Sequence, residues 1–156
     1  GKFIRALLTK SDKEFTDRDI EDFVNKYKSI IQISNDKTFS RFKEVSGDEI
    51  REFYLEDSYD KHQGVLGNSC MRYTKCQDYF DIFTENPNQV SLIILFSKRN
   101  NGKICGRAIL WTDEDGNKLM DRVYYLSDSD GEYFKSYAKF KKGYSITSSL
   151  FFKYYS

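Results

Sequence analysis

The residues best equipped for chemistry lie between positions 57 and 76. The stretch "GVLGNSCMRYTKC", residues 64–76, joins a glycine-punctuated loop to two thiols, and the only histidine, His62, sits just upstream. Asn68 or Ser69 can cap a helix, which places Cys70 in its first turn, where the helix dipole stabilises a thiolate. His62 can then act as base if the loop folds back, with Asp57 or Asp60 to orient it. That chemistry is a cysteine-dependent enzyme. The competing reading, which the lack of identifiable oxyanion donors favours, makes Cys70 a small, buried, inert residue near the helix start.

The same residues pose a metal question. His62, Cys70, Cys76 and Cys105 would form a Cys₃His zinc set. No C-x₂-C pair is present, and Cys76 and Cys105 also fit apolar core positions. The expectation is therefore no metal and no cofactor.

Two arginines offer a third chemistry. Arg107 and Arg122 fall in the middle strands of a predicted meander. One or both can line a cleft and grip an anionic ligand through the planar guanidinium, beside Tyr124. The alternative is a structural ion pair or a solvent-facing sheet surface. Strand alternation predicts that Asp121 points away from Arg122.

The elements that must position these residues are legible as patterns. Thr16 and Asp19 form a capping box before a helical face of Ile20, Phe23, Val24, Tyr27 and Ile31. A short strand is expected at Phe3 to Leu8 and an edge strand within residues 38–45. Ser46 with Glu49 predicts a second capped helix carrying Ile50, Phe53 and Tyr54. Residues 55–67 read as an exposed loop. A third helix is predicted from Asn68 to Asn86, with Tyr73, Cys76, Phe80 and Phe83 on one face, ended by Pro87. Strands follow at Val90 to Phe96, 103–112 and 117–126, joined by turns at Asn101-Gly102 and Asp115-Gly116. "SDSD", residues 127–130, supplies N-caps for a helix with Tyr133, Phe134, Tyr137, Ala138 and Lys141 on one face. Lys141, Lys142 and Gly143 end it, and residues 145–152 form a last strand.

Composition bounds the class. The 156 residues are 39% hydrophobic and 31% charged, the size and balance of one globular domain. The formal charge of +1 gives no overall pull toward nucleic acid or anionic membrane, and no apolar run is long enough to span a bilayer. Three dispersed cysteines fit a reducing, cytoplasmic setting. The aromatic share is 17%, with 13 Phe and 12 Tyr. Helical spacing assigns Tyr133, Tyr137 and Phe140 to packing on the sheet. The end, "LFFKYYS", with Phe151, Phe152, Tyr154 and Tyr155, reads as a contact patch if exposed. Basic aromatic stretches such as "YFKSYAKFKKGY" also leave a nucleic-acid binder open, whose affinity would fall steeply with salt.

Three resemblances extend this reading. The order strand, hairpin, strand, hairpin, strand, helix, strand from Val90 to Phe152 resembles the core of GNAT-type N-acetyltransferases. That resemblance implies a GNAT-like sheet and an acyltransferase activity. It also implies a glycine-rich, basic turn for the pyrophosphate of acetyl-CoA, whereas this turn, "LSDSDGEY", is acidic and has one glycine. The blocks "LGNSCMRY", "GRAILW", "MDRVYYL" and "FKSYAKFKKGY" resemble uncharacterised tailed-phage proteins, which implies a viral protein acting in the host cytoplasm. Asn68-Ser69-Cys70 is faintly similar to the sequence around papain-type nucleophiles, but no histidine follows Cys70 here.

Together these observations predict a single α+β domain over residues 1–156, an antiparallel sheet flanked by helices with a GNAT-like meander-helix-strand core. The expected function is non-catalytic binding of a host or phage protein, or of an anionic ligand. The expected surface comprises Arg107, Arg122, Tyr124, Phe151, Phe152, Tyr154 and Tyr155.

Overall fold

The computed structural model describes residues 15–141 and 144–146. The chain falls into two compact units, residues 1–40 and 41–156. In the first, helix α1 (Asp17–Thr38) begins as its sequence predicts. The Thr16 backbone N–H donates to Asp19 Oδ2 at 2.9 Å and the Asp19 N–H to Thr16 Oγ1 at 3.2 Å, a closed capping box. The Phe23 and Tyr27 rings, one turn apart, stack at 6.4 Å.

The second unit has a mixed α/β architecture built on a curled five-stranded sheet in the order β1-β2-β3-β4-β5. The strands are β1 (Phe42–Val45), β2 (Val90–Phe96), β3 (Ile104–Thr112), β4 (Lys118–Tyr125) and β5 (Tyr144–Ile146). β1 to β4 pair antiparallel, while β5 lies parallel to β4. The sheet is thus mixed rather than wholly antiparallel, because a helical crossover returns the chain in its original direction. That crossover is α5 (Asp128–Phe140), and its N-terminus is closed by a Ser127–Asp130 capping box. Gly102 and Gly116 sit at φ +79° and +82° in the two hairpin turns.

α5 covers one sheet face. Phe134 is fully buried over Gly106, whose missing side chain leaves the space: a Cβ there would stand 2.6 Å from the Phe134 ring. The Phe42 ring stacks on Tyr137 at 4.2 Å and tilts on Tyr133 at 4.9 Å, as the helical spacing predicts. The curl brings the ends of the sheet together at Glu44. Its carboxylate accepts from Ser91 Oγ at 2.7 Å, Lys118 Nζ at 3.2 Å and Tyr144 Oη at 3.1 Å. One side chain therefore ties β1 to β2, β4 and β5.

The other face is covered by residues 49–84. These comprise α2 (Glu49–Tyr54), a four-residue α3 (Gly64–Gly67), α4 (Asp81–Thr84) and three 3₁₀ segments at Glu56–Ser58, Cys70–Arg72 and Thr74–Phe80. Ile50, Tyr54, Tyr59, Leu66 and Phe80 pack there against Leu92, Ile94, Ile104 and Ile109. Three expectations change here. Ser46 does not cap α2: Gly47, at φ +62°, turns the chain first, and Asp48 stands at the N-cap without a side-chain bond. The loop read as exposed buries Tyr59 and Leu66. The predicted helix from Asn68 to Asn86 is broken, since Ser69 and Tyr73 are extended (ψ 119° and 148°). The stretch is poor in strong helix formers, and tertiary bonds hold its turns instead. Arg51, for example, donates to the Gln77 carbonyl and to Asp81 Oδ1.

The expected strand at Phe3 to Leu8, the cap at Lys142 and Gly143, and the end of the last strand lie outside the described residues. So does the tail with Phe151, Phe152, Tyr154 and Tyr155. Among the described residues no helix is long and apolar enough to cross a membrane.

Two outcomes follow from this packing. Gly47 and Gly64 share φ +62°, but a Cβ at Gly47 meets nothing within 4 Å, whereas at Gly64 it collides with the Leu126 and Tyr125 carbonyl oxygens. Urea denaturation should show Gly47→Ala losing about 1 kcal/mol and Gly64→Ala at least twice as much. Burial pushes the Glu44 carboxyl up, but Ser91, Lys118 and Tyr144 together hold it below its ordinary value of 4.5. Its contribution is therefore complete above that value and disappears as pH falls through the lower folded value. Glu44→Gln should melt below the native protein at pH 7, with the gap closing under acid.

Candidate anion-binding site

Strand pairing sets Ile94, Arg107 and Tyr124 side by side across β2, β3 and β4, on the face covered by residues 49–84. Arg107 has no exposed surface at all. Its guanidinium carbon lies 3.6 Å from the Tyr54 ring centroid, 4.7 Å from Tyr124 and 5.9 Å from Tyr59. Nη2 donates to Ser69 Oγ at 2.8 Å and to Tyr59 Oη at 3.2 Å. Tyr59 Oη in turn donates to the Tyr54 carbonyl at 2.7 Å. No carboxylate forms an ion pair with Arg107 among the described residues, and Nη1 is buried with no hydrogen-bond partner.

This arrangement is costly. A guanidinium is charged at every physiological pH and carries five donors. Cation–π contacts return about 2 kcal/mol when desolvated, against a burial penalty of several kcal/mol for an unpaired ion. Both N–H groups of Nη1 lack an acceptor among the described residues. Burial pushes the Tyr54 and Tyr59 hydroxyls up, with Arg107 pulling the other way, so both rings face the cation as neutral phenols.

Arg122 and Tyr124, singled out from the sequence with Arg107, come together with it. The exposed Arg122 guanidinium is 5.2 Å from the same Tyr124 ring. Arg107 itself belongs to the interior, not to a surface, because aromatic rings rather than water surround it. The expected alternation at Asp121 also fails. The register slips between Ala108 and Leu110, opposite Asp121 and Arg122. Asp121 Oδ2 consequently accepts from Trp111 Nε1 at 3.3 Å, and Trp111 packs on the same core cluster as Tyr124.

The loop around the cage is cross-tied. Arg72 pairs with Glu56 at 3.1 Å and donates to the Ser69 carbonyl at 3.2 Å, while its guanidinium stands 4.4 Å from the Tyr73 ring. A Cβ at Gly67 would strike the His62 backbone at 2.5 Å, so only glycine lets this turn close. Ser69, Tyr54 and Tyr59 complete the cage, and sequence reasoning missed them as a site. The one available signal was Tyr59 and the pair Val65-Leu66 inside a largely polar loop.

The cysteine readings change. Cys70 is exposed, not buried, and sits in a three-residue 3₁₀ turn, not in the first turn of a helix. His62 Nε2 bonds the Glu56 carbonyl at 3.0 Å, and Asp60 accepts from Ser97 Oγ at 2.7 Å. No hydrogen bond among the described residues joins His62 to Cys70, Asp57 or Asp60. Nor does any group of three His, Cys, Asp or Glu among them gather to hold a metal, so His62, Cys70, Cys76 and Cys105 are not brought together as a set. Cys105 is buried in β3, and burial, with the nearby Asp130 charge, pushes its thiol up to about 12.

A second feature, a polar recess of about 250 Å³, is lined by Glu44, Ser46, Asn88, Ser91, Thr112 and Lys118. Its carboxylate already accepts from three donors, so the recess lacks an unsatisfied group of the kind Arg107 carries.

Compared with protein-family models, curated proteins and solved structures, the chain matches none.

The thiol environments are directly measurable. Ellman's reagent at pH 8 should react with the exposed Cys70 in seconds in the folded protein. Cys105 should react at least a hundredfold more slowly in the native state than after denaturation.

Proposed function

We propose that this chain is a phage-encoded, non-catalytic binding protein. In this reading it works in the host cytoplasm and holds a carboxylate or phosphate group, free or carried by a protein partner, at Arg107 and Arg122. The observation that carries this reading is the Arg107 guanidinium, buried without a carboxylate and with Nη1 unbonded. An oxyanion in the plane of that group supplies the missing acceptor and charge in one step. Arg122, exposed beside the same tyrosine, offers a second cation.

A second reading rests on the strand order. The meander β2-β3-β4, the helix α5 and the returning strand β5 support a GNAT-like core, and with it an acyltransferase. The start of α5 argues against acetyl-CoA at the expected turn. Ser127 and Asp130 already satisfy each other's backbone N–H groups there, and Asp128 and Asp130 place acid in the first turn. Gly131 makes room for the Tyr125 ring, since a Cβ there would stand 2.9 Å from it. Its glycine is thus explained without a phosphate.

The test pairs binding with stability in Arg107→Met. If the guanidinium is kept for a ligand, removing an unpaired buried charge should leave the melting temperature unchanged or raise it, by up to about 1–4 kcal/mol of stability. The variant should also lose the thermal stabilisation that inorganic phosphate or acetate gives the native protein. A variant that loses more than about 3 kcal/mol, with native protein indifferent to both anions, makes Arg107 structural and ends this reading. Calorimetric binding of acetyl-CoA instead would establish the second.

A further inference from the structure

We propose that Cys70 and Cys76 form a dithiol that closes to an intramolecular disulfide, a redox modification site in the loop that carries Ser69. Both thiols are free; Cys70 is exposed and Cys76 half-buried. Cys76 Sγ donates to the Cys70 carbonyl oxygen at 3.4 Å. A residue's Cβ lies about 3 Å from its own carbonyl oxygen. The Cys76 sulfur is therefore no more than about 6 Å from the Cys70 Cβ, and rotation of the exposed Cys70 side chain, with a small backbone shift, can bring the sulfurs together.

The broken helix creates this proximity. In a regular α-helix, residues six apart are separated by about 9 Å along the axis and about 240° around it. Here Tyr73 is extended between two 3₁₀ turns, and the chain doubles back so that residue 76 meets residue 70. The backbone between them is irregular enough to absorb the Cβ approach of about 3.8 Å that a disulfide needs. Cys105 takes no part, being buried in β3.

The oxidant is a low-molecular-weight disulfide. The Cys70 thiolate attacks one sulfur of oxidised glutathione, forming a mixed disulfide and releasing one glutathione thiolate. The Cys76 thiolate attacks the Cys70 sulfur, forming the protein disulfide and releasing the second. Two protein thiols are oxidised, one glutathione disulfide is reduced, and the two protons leave with the two glutathione thiols.

Closure draws the Cys70 side chain in from solvent and pulls on the peptide that joins it to Ser69. Ser69 Oγ holds Arg107 Nη2 at 2.8 Å, and its carbonyl holds Arg72 Nη1 at 3.2 Å. Oxidation therefore disturbs the Arg107 cage; this consequence, unlike the disulfide itself, rests on the anion-binding reading.

The experiment treats the folded full chain with oxidised glutathione and maps the products by mass spectrometry. Trypsin cleaves after Arg72 and Lys75, so a Cys70–Cys76 bond joins two otherwise separate peptides. The expected product is that linked pair, with Cys105 a free thiol, while Cys76→Ser stops at a glutathione adduct on Cys70. A native protein that also stops at a stable Cys70 adduct, or forms only Cys70-linked dimers, overturns the proposal. Calorimetry with inorganic phosphate then reads the coupling: at least a tenfold loss of affinity on oxidation, reversed by dithiothreitol and absent in Cys76→Ser. Unchanged affinity in the mapped disulfide form overturns the coupling. If neither phosphate nor acetate binds either form, the anion-binding reading fails, and the peptide map alone decides the dithiol.

Discussion

Arg107 is the group around which one face of this sheet is arranged. A strand residue pointing into a core is ordinarily apolar, because an ion there loses its hydration. Here the loss is met by three tyrosine rings, two hydroxyls and the segment that delivers them. α2 supplies Tyr54, the turn after it supplies Tyr59, and the turn after α3 supplies Ser69. Each stands in a different piece of residues 49–84, so those pieces must converge for the guanidinium to be solvated. The guanidinium thereby meets groups from three separate parts of the covering segment.

The opposite face follows simpler rules. Phe134 fills the space above Gly106, Phe42 stacks on Tyr137, and the capping box fixes where α5 starts. Among the described residues no charged side chain is buried without a partner there. Glu44, at the edge where the sheet curls back on itself, is bonded by donors from three other strands. The contrast between a satisfied carboxylate on one face and an incompletely satisfied guanidinium on the other is what singles out the Arg107 face. A buried donor without a partner is uncommon in folded proteins and calls for a specific explanation, such as a water, an ion or a ligand.

The loop holding Ser69, Cys70 and Arg72 links this interior to the surface. Ser69 is bonded to the buried cation, Cys70 is open to solvent, and Arg72 fastens the turn to Glu56. Adjacent residues thus face opposite environments, which is why a covalent event at the surface can reach the cage. The glycines on its N-terminal side serve this closeness, since Gly64 and Gly67 both press against backbone that no side chain could approach.

Local pattern sufficed wherever a segment's partners lie close in sequence or its period is clean. The α1 capping box, the strand Val90–Phe96, both glycine turns and the Ser127 cap depend on neighbours a few residues away, and the sequence alone determined them. It also marked Arg107, Arg122 and Tyr124, because charge in a hydrophobic strand is conspicuous. What it could not determine depends on distant residues. The spacing from Asn68 to Phe83 suits a helix, yet bonds from Arg51 and Arg107 hold that stretch in 3₁₀ turns. The bulge opposite Asp121 and Arg122 redirects side chains that simple alternation assigns elsewhere. Burial of Arg107 among Tyr54, Tyr59 and Ser69 likewise came only with tertiary structure. The energy of a buried charge is set by what surrounds it in space, and those surroundings come from residues 38 to 53 positions away in the chain.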